Sequence, residues 1–181
     1  GVMLQGIDPA REVAIRDLSD DVTVGTYLDA GGKFFLSSQD YLYDRGGPTH
    51  DAPTPFMVDY LSVGGCESDL GQTVVTGAGQ AFSGLGPYTL AYPFNNRSDR
   101  ITPSAAGTLG FSGDAGDAAT TTAVDGGFRS VYLGFPVVSL PTAADREEVL
   151  LRILDFCRGS IFLDGFESGD TSRWSSATPP P

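Results

Sequence analysis

The clearest periodic pattern lies near the start of the chain, where a helix is followed by a strand. One face of the helix is apolar at helical spacing: Val24, Tyr27 and Leu28. Ser19 is a suitable N-cap and Gly31 a suitable C-terminal stop, so we expect a helix over about residues 20–30. The apolar run after it predicts a buried strand over residues 33–38.

Two later helices are marked by their caps. Thr54 followed by a proline is typical of a helix start, and this helix is predicted to end before Gly64. Thr142 and Asp145 form a variant of the capping box for another helix, which Gly159 ends. The last helix has a predicted buried stripe: Val149, Leu150, Ile153, Leu154 and Cys157.

Between these helices the pattern changes to short β-prone runs separated by glycine and proline. The runs are Thr73–Thr76, Tyr88–Tyr92, Thr108–Phe111 and Thr121–Val124. We expect short, antiparallel strands here, followed by a strand over residues 129–135 that is buried on both faces. The residues predicted on central, neighbouring strands are Phe34, Leu36, Val131 and Leu133.

The charge balance limits the classes of partner. The chain of 181 residues has 23 acidic side chains against 11 Lys and Arg, for a formal net charge of -12. Such a surface repels phosphate backbones and anionic membrane surfaces, so we expect neither nucleic acid nor membrane binding. The sequence has no apolar run of the ~20 residues that a membrane span requires. No leader is recognisable at the N-terminus, so a signal peptide has been removed or the chain is an internal fragment.

The two cysteines, Cys66 and Cys157, allow two interpretations. In a reducing compartment they are buried thiols. In an exported protein an even count permits one long-range disulfide, which is the outcome that we expect.

The turn over residues 37–44 is the first place to look for a site, because ligands bind at the carboxyl ends of strands in open α/β sheets. Ser38 is the candidate nucleophile and His50, the single histidine, the candidate base. The glycines of a nucleophile elbow do not flank Ser38. The alternative, which we favour, is that Ser37 and Ser38 end a strand and form local hydrogen bonds.

A binding cleft is the second possibility for this turn, and four side chains would line it: Gln39, Asp40, Tyr41 and Tyr43. Tyrosine and glutamine are suited to sugars or peptides through stacking and hydrogen bonding. In the alternative, which again is favoured, the tyrosines pack in the core and Asp40 caps the turn.

Metal binding and cofactors are not expected. The cysteines have no zinc-type spacing. Calcium at Asp164, Glu167 and Asp170 is conceivable on chemical grounds, but a solvated acidic tail is the favoured interpretation.

A family resemblance extends over residues 19–158. Its residues are Tyr27–Gly32, Phe35–Asp44, Thr54–Met57 with Tyr60–Leu61, Ser98–Pro103, Tyr132–Pro136 and Arg152–Cys157. This set resembles a domain of secreted bacterial multidomain proteins, often near peptidase modules, which is a divergent relative of the class I glutamine amidotransferase-like fold. The amidotransferases use a cysteine nucleophile after a strand, where this chain has Ser37 and Ser38.

The resemblance implies a three-layer, flavodoxin-like α/β sandwich with a mostly parallel central sheet and extra short strands in residues 70–127. Residues 1–158 would form the amidotransferase-like domain, with its first elements abbreviated or missing. Residues 159–181 would form a tail, whose Phe162–Ser175 resembles a short C-terminal motif of secreted bacterial proteins.

The function implied is a non-catalytic accessory or interaction domain of a secreted or extracellular bacterial protein. Its partners would be other domains of the parent chain, or a protein or carbohydrate ligand. The alternatives are a hydrolase that uses Ser38 and a structural subunit that self-associates through an open strand edge.

Overall fold

A computed structural model describes residues 2–5, 18–46 and 49–158 of the chain. Its strands are β1 (Val2–Gln5), β2 (Lys33–Ser37), β3 (Val63–Glu67), β4 (Val74–Gly77), β5 (Tyr88–Thr89), β6 (Arg100–Pro103), β7 (Thr108–Gly113), β8 (Gly116–Ala123) and β9 (Arg129–Leu133). Its helices are α1 (Leu18–Asp29), α2 (Tyr41–Arg45), α3 (Pro55–Leu61), α4 (Gly79–Phe82) and α5 (Ala143–Arg158), with a 3-10 turn at Val137–Ser139.

The main sheet of the described residues has seven strands in the order β1-β2-β9-β8-β7-β4-β5, and β3 pairs with β6 in a separate sheet. The pairs β1–β2 and β2–β9 are parallel, whereas the other four pairs of the main sheet are antiparallel. The sheet is therefore mixed and mostly antiparallel. The expected flavodoxin-like sandwich with a mostly parallel sheet is wrong.

The reason lies in how the strands are connected. A tight turn joins β8 to β9, closed by hydrogen bonds from Val124 N to Phe128 O (3.0 Å) and from Gly127 N to Val124 O (2.9 Å). Another short turn joins β7 to β8. Such hairpins produce antiparallel neighbours, whereas parallel neighbours require a crossover of a dozen or more residues. Within residues 70–127, strands β4, β5, β7 and β8 thus extend the main sheet itself, whereas β6 pairs with β3.

Side chains of β2 alternate between two buried clusters, one on each side of the sheet. Phe35 packs with Val131 and Leu133 of β9 and with α5, and we call this side the apolar face. Phe34 and Leu36 pack with Tyr132 and with helices α1 and α3, and we call this side the mixed face. The alternation follows from the two-residue period of a strand. It confirms that β2 and β9 are central neighbours.

The boundaries of α1, α3 and α5 agree closely with the sequence prediction, whereas α2 and α4 are not among the predicted helices. Gly31, at φ +87°, ends α1, and its N–H donates to Leu28 O over 2.8 Å. The Thr54 hydroxyl accepts from Met57 N at the start of α3. At α5 the Thr142 hydroxyl accepts from Asp145 N, and the Asp145 carboxylate accepts from Thr142 N, as the capping box requires.

The predicted stripe of α5 is correct only in part. Val149 and Ile153 are buried on the apolar face, and Leu150 and Cys157 are partly buried against it. Leu154, however, is 49% exposed. The buried stripe of this helix is narrower than the sequence pattern indicated.

The expected disulfide is absent, because Cys66 and Cys157 are both free thiols. Cys66 packs against the cluster of the mixed face, whereas Cys157 packs against that of the apolar face. The sheet lies between them, so the two sulfur atoms cannot reach the separation that a disulfide requires.

The tail over 159–181, with its calcium candidates Asp164, Glu167 and Asp170, lies outside the described residues. Within the described ranges, none of the helices combines the length and the apolar character that a bilayer crossing requires.

Candidate functional site

The loops that follow β2 and β9 meet at the carboxyl ends of these two parallel strands. Ser37, the last residue of β2, joins them: its hydroxyl donates to Phe135 O over 2.9 Å and accepts from Val137 N over 2.8 Å. Ser37 is buried, so both bonds form away from water. This serine therefore fixes the loops after β2 and β9 relative to each other, and with them the neighbouring side chains.

Ser38 lies just before helix α2, three residues ahead of its first residue, Tyr41. Its hydroxyl accepts hydrogen bonds from Asp40 N (3.1 Å) and Tyr41 N (3.0 Å), and its own N–H donates to Leu133 O (3.2 Å). Free N–H groups at a helix start require acceptors, and a serine oxygen is a preferred one. The Ser38 hydroxyl is thus used in local structure.

His50 does not share its contacts with Ser38. Its ring stacks on Tyr43, with ring centroids 4.1 Å apart and an interplanar angle of 13°, and its Nδ1 contacts the Tyr43 carbonyl oxygen. Among the described residues, no hydrogen bond joins Ser38 to His50. The structure gives the two predicted catalytic residues separate partners.

Gln39 fixes the loop that leads into β6. Its Oε1 accepts from Arg97 N over 3.2 Å, and its Nε2 donates to Asn95 O over 3.0 Å. The side chain is buried, and both ends of the amide are hydrogen-bonded to backbone. Gln39 therefore positions a loop, with its amide turned away from solvent.

The other predicted ligand residues divide between core and surface. Tyr41 is buried and meets Tyr132 edge to face, with ring centroids 5.8 Å apart. Tyr43 is exposed, and Asp40 is partly exposed. Of the four residues predicted to line a cleft, only these last two can meet a ligand from solvent.

Asp40 belongs to an acidic group at the mouth of the site. Partial burial raises the pKa of its carboxyl, and the nearby charges of Asp44 and Asp69 raise it further. Arg97 forms an ion pair with Asp69 over 2.8 Å and offsets part of this negative charge. This mouth is acidic, with one arginine beside it.

Asp99, immediately before β6, is the most perturbed group of the site. It is fully buried, and its Oδ1 accepts from Asp69 N over 3.1 Å. Desolvation raises the pKa of Asp99 to about 9, and the charges of Asp69, Asp40 and Asp51 act in the same direction. At neutral pH this carboxyl is protonated and uncharged.

Tyr132 of β9 is the neighbour of Asp99 inside the protein. Burial raises the pKa of its hydroxyl far above the usual value, and the nearby Asp99 and Tyr41 add to the shift. Asp99 Oδ2 and the Tyr132 hydroxyl are the two buried side-chain atoms without a hydrogen-bond partner among the described residues. Buried polar atoms are rarely left unpaired, so this is a distinctive feature of the chain.

Asp99 lies within the segment Ser98–Pro103 of the family resemblance, but the sequence does not mark it as a site residue. It stands in the polar run Asn95–Arg100, which is typical of an exposed loop. No local pattern reveals that the strands fold over it.

Neither cysteine supplies a reactive thiolate. Burial raises the pKa of the Cys66 thiol to about 11, with contributions from Asp51 and Asp99. Burial likewise raises the pKa of Cys157. Nucleophilic cysteines have lowered pKa values, so these two thiols remain protonated at neutral pH.

Metal ligands do not come together in the described part of the chain, which holds no group of three or more His, Cys, Asp or Glu side chains arranged for an ion. The calcium candidates of the tail are outside it.

Comparisons with known proteins add a likeness of fold. No protein-family model matches the sequence, and neither does any curated protein. A solved structure, the polyextremophilic beta-galactosidase from the Antarctic haloarchaeon Halorubrum lacusprofundi, superposes with a TM-score of 0.50 at 16% identity. The match covers 78% of this chain and 20% of the beta-galactosidase chain. At this identity the likeness concerns the fold, and this chain spans about one fifth of that neighbour's length.

Proposed function

We propose that this chain is a non-catalytic accessory or interaction domain of a secreted bacterial multidomain protein. The observation that carries the proposal is the use of the Ser38 hydroxyl, whose oxygen accepts two backbone N–H groups at the start of α2. An activated serine also donates its proton to a base, but the single histidine, His50, contacts Tyr43 instead. The position where the amidotransferases have a nucleophile therefore serves structure in this chain.

The inference that the parent protein is bacterial and secreted rests on the family resemblance over residues 19–158. Its motifs, rather than the corrected sheet topology, are the reason to infer a bacterial, exported parent protein. The structural neighbour supports the idea of a module, since the matched unit is one fifth of a longer chain. Because Cys66 and Cys157 are free thiols, no disulfide between them supports export. The family resemblance is then the sole argument for it.

A fluorophosphonate probe tests the catalytic alternative directly. Under the proposal the native protein stays unlabelled, as measured by intact mass, because Ser38 is buried and has no histidine partner. Ser38→Ala is the matched control, and an established serine hydrolase verifies the probe. Stoichiometric labelling that Ser38→Ala abolishes would replace the accessory role with a hydrolase.

The ligand of such a domain would meet the acidic mouth of the site. Asp40, Asp44 and Arg97 are accessible there, and Tyr43, on the same helix, is exposed as well. An exposed tyrosine together with charged groups suits a protein or carbohydrate surface. A glycan array that includes galactosides tests the carbohydrate class, because the structural neighbour is a beta-galactosidase. Binding that Tyr43→Ala removes would favour carbohydrate, whereas an empty array favours a protein partner.

Self-association is the remaining alternative, and the sheet edges are its basis. In the described residues β1 and β5 each pair on one side only, and such edges can accept a strand from another chain. β5 is only two residues long, which limits pairing there. Light scattering over a range of concentrations decides: a constant monomer mass removes this alternative.

A further inference from the structure

A polar cleft lies over the apolar face of the sheet, at the opposite end of β9 from the site described above. Its floor is formed where β7 and β9 begin and β8 ends, and its walls are α4 and the C-terminal half of α5. Small side chains on the floor leave room beneath the helices: Ala106, Thr108, Thr121 and Ala123. The cleft has a volume of about 460 Å³, within the range of ~300–1,000 Å³ that is usual for small-molecule sites.

Two arginines line this cleft, Arg129 at the start of β9 and Arg152 on α5. Among the described residues, no carboxylate forms an ion pair with either of them. Other arginines do have such partners: Arg45, Arg97 and Arg100. In a chain with 23 acidic against 11 basic side chains, two arginines without a carboxylate in one cleft indicate a site for an anion from outside.

The end of α5 holds Arg129 in place. Its Nη1 donates to Phe156 O over 3.2 Å, and its guanidinium carbon lies 5.4 Å from the centre of the Phe156 ring. This is the one hydrogen bond of the Arg129 side chain within the described ranges, so other N–H groups of the guanidinium remain for a ligand. Lys33 is the neighbour of Arg129 in the register of β2 and β9 and adds positive charge beside it.

The charges around the arginines decide which anion fits. Asp155 also lines the cleft, and the chain as a whole has a formal net charge of -12. Both repel a doubly charged phosphate or sulfate more strongly than a singly charged carboxylate. The planar fork of a guanidinium also matches the two oxygens of a carboxylate.

The uncharged polar groups of the cleft suit a ligand with hydroxyl groups. The Thr121 hydroxyl donates to Thr108 O over 3.4 Å, so its own oxygen is left to accept. The Gln80 amide on α4 provides a donor and an acceptor at the rim. Such groups exchange hydrogen bonds with hydroxyls and fix the orientation of a small ligand.

We propose that this cleft binds a sugar acid, a small molecule with one carboxylate and several hydroxyl groups. Arg129 and Arg152 bind the carboxylate, and the polar groups of β8 and α4 bind the hydroxyls. The cleft is separate from the acidic mouth around Asp40, and the proposal is independent of the accessory role, because it rests on other residues.

A chemical-shift titration of the ¹⁵N-labelled full chain with sodium glucuronate tests the proposal. We expect saturable shifts of backbone amides around Arg129 and Arg152. Glucose, which has the same ring without the carboxylate, should cause none. Acetate and inorganic phosphate should bind at least about tenfold more weakly, because acetate lacks the hydroxyls and phosphate carries more charge.

Variants of α5 assign the binding to the cleft. Arg152 is exposed, so Arg152→Gln should fold normally and weaken glucuronate binding by about tenfold through the loss of a charged hydrogen-bond donor. Arg146→Gln is the matched control: it removes the same charge from the same helix, but Arg146 lines a different groove, so the affinity should stay nearly unchanged. Asp155→Asn removes a negative charge from the cleft and should tighten binding several-fold. Far-UV circular dichroism should show that all variants are folded.

Four results would overturn the proposal. The first is the absence of saturable shifts at tens of millimolar glucuronate. The second is acetate or phosphate that binds as tightly as glucuronate, which would leave a site for simple anions. The third is an equal loss of affinity for Arg146→Gln and Arg152→Gln, which would reduce the effect to net charge. The fourth is a set of shifts centred on Asp40 instead of the cleft.

Discussion

The two faces of the main sheet are built on different principles. On the apolar face, β8 and β9 present Ala119 beside Leu133 and Thr121 beside Val131, and the space above is filled by aromatic rings and α5. On the mixed face the neighbouring pairs are Thr120 with Tyr132 and Thr122 with Ser130. The faces belong to the same strands, so the two-residue period alone separates them.

On the mixed face, polar side chains of the sheet donate hydrogen bonds to α3 and to the turn after it. Thr120 donates to Leu61 O over 2.7 Å, Thr122 donates to the Ser62 hydroxyl over 2.9 Å, and Ser130 donates to Tyr60 O. These bonds fix α3 and the turn after it in one position. Packing of the apolar face is non-directional, whereas this face specifies how the helix is placed.

The largest expected effect tests the apolar face. Phe111 is fully buried between Phe82 and Phe135, with ring centroids 4.8 and 5.6 Å away. Phe111→Ala should lower the free energy of unfolding by about 3–5 kcal/mol, through lost burial and the cavity that remains. Urea denaturation measures it, with exposed Phe94→Ala as the control that should change little. Equal losses for the two variants would contradict the assignment of this core.

The next prediction concerns the contact of α5 with the same face. Ile153 is buried there, and its neighbour Leu154 points outward. Ile153→Ala should cost about 2–5 kcal/mol of unfolding free energy. Leu154→Ala should cost far less, because the Leu154 side chain is 49% exposed. A loss below about 0.5 kcal/mol for Ile153→Ala would mean that the wrong side of the helix faces the sheet.

Asp99 provides a test of the mixed face through pH. Its pKa is about 9 in the folded protein and near 3.8 in the unfolded chain. Between these values the unfolded chain binds fewer protons, so the contribution of Asp99 to stability is fully present below about pH 4 and is lost as pH rises toward 9. Asp99→Asn imitates the protonated acid and should remove this dependence.

At pH 7 we therefore expect Asp99→Asn to be more stable than the native chain by about 2–4 kcal/mol. Urea denaturation of both proteins at pH 4, 7 and 9 gives the comparison, since other titrating groups cancel in the difference. A difference that stays constant across this range would show that Asp99 is ionised in the folded protein.

The same contrast explains what could be predicted from the sequence. Helices α1, α3 and α5 and strands β2 and β9 were predicted because caps and apolar periodicity are local signals. The strand order was not predictable, because strand pairing joins residues that are distant in the sequence. The hairpins of residues 108–133 also have no sequence signal that fixes their register. Asp99 was not recognised either, because burial of an acid depends on strands that fold over it.

Ser38→Ala is the smallest predicted effect and separates structure from catalysis on the mixed face. Ser38 continues the alternation of Phe34 and Leu36, and its oxygen accepts from Asp40 N and Tyr41 N. Losing this acceptor leaves two N–H groups unpaired at the start of α2, which should cost about 0.5–2 kcal/mol of unfolding free energy. Ser38→Thr keeps the oxygen and should recover most of the loss.

A serine held for catalysis would give the opposite result, because a reactive residue is not selected for stability and its removal often leaves the protein as stable as before or more so. An unchanged or increased urea midpoint for Ser38→Ala would therefore argue against the capping role, and labelling of Ser38 by the fluorophosphonate probe would then be needed to assign a hydrolase.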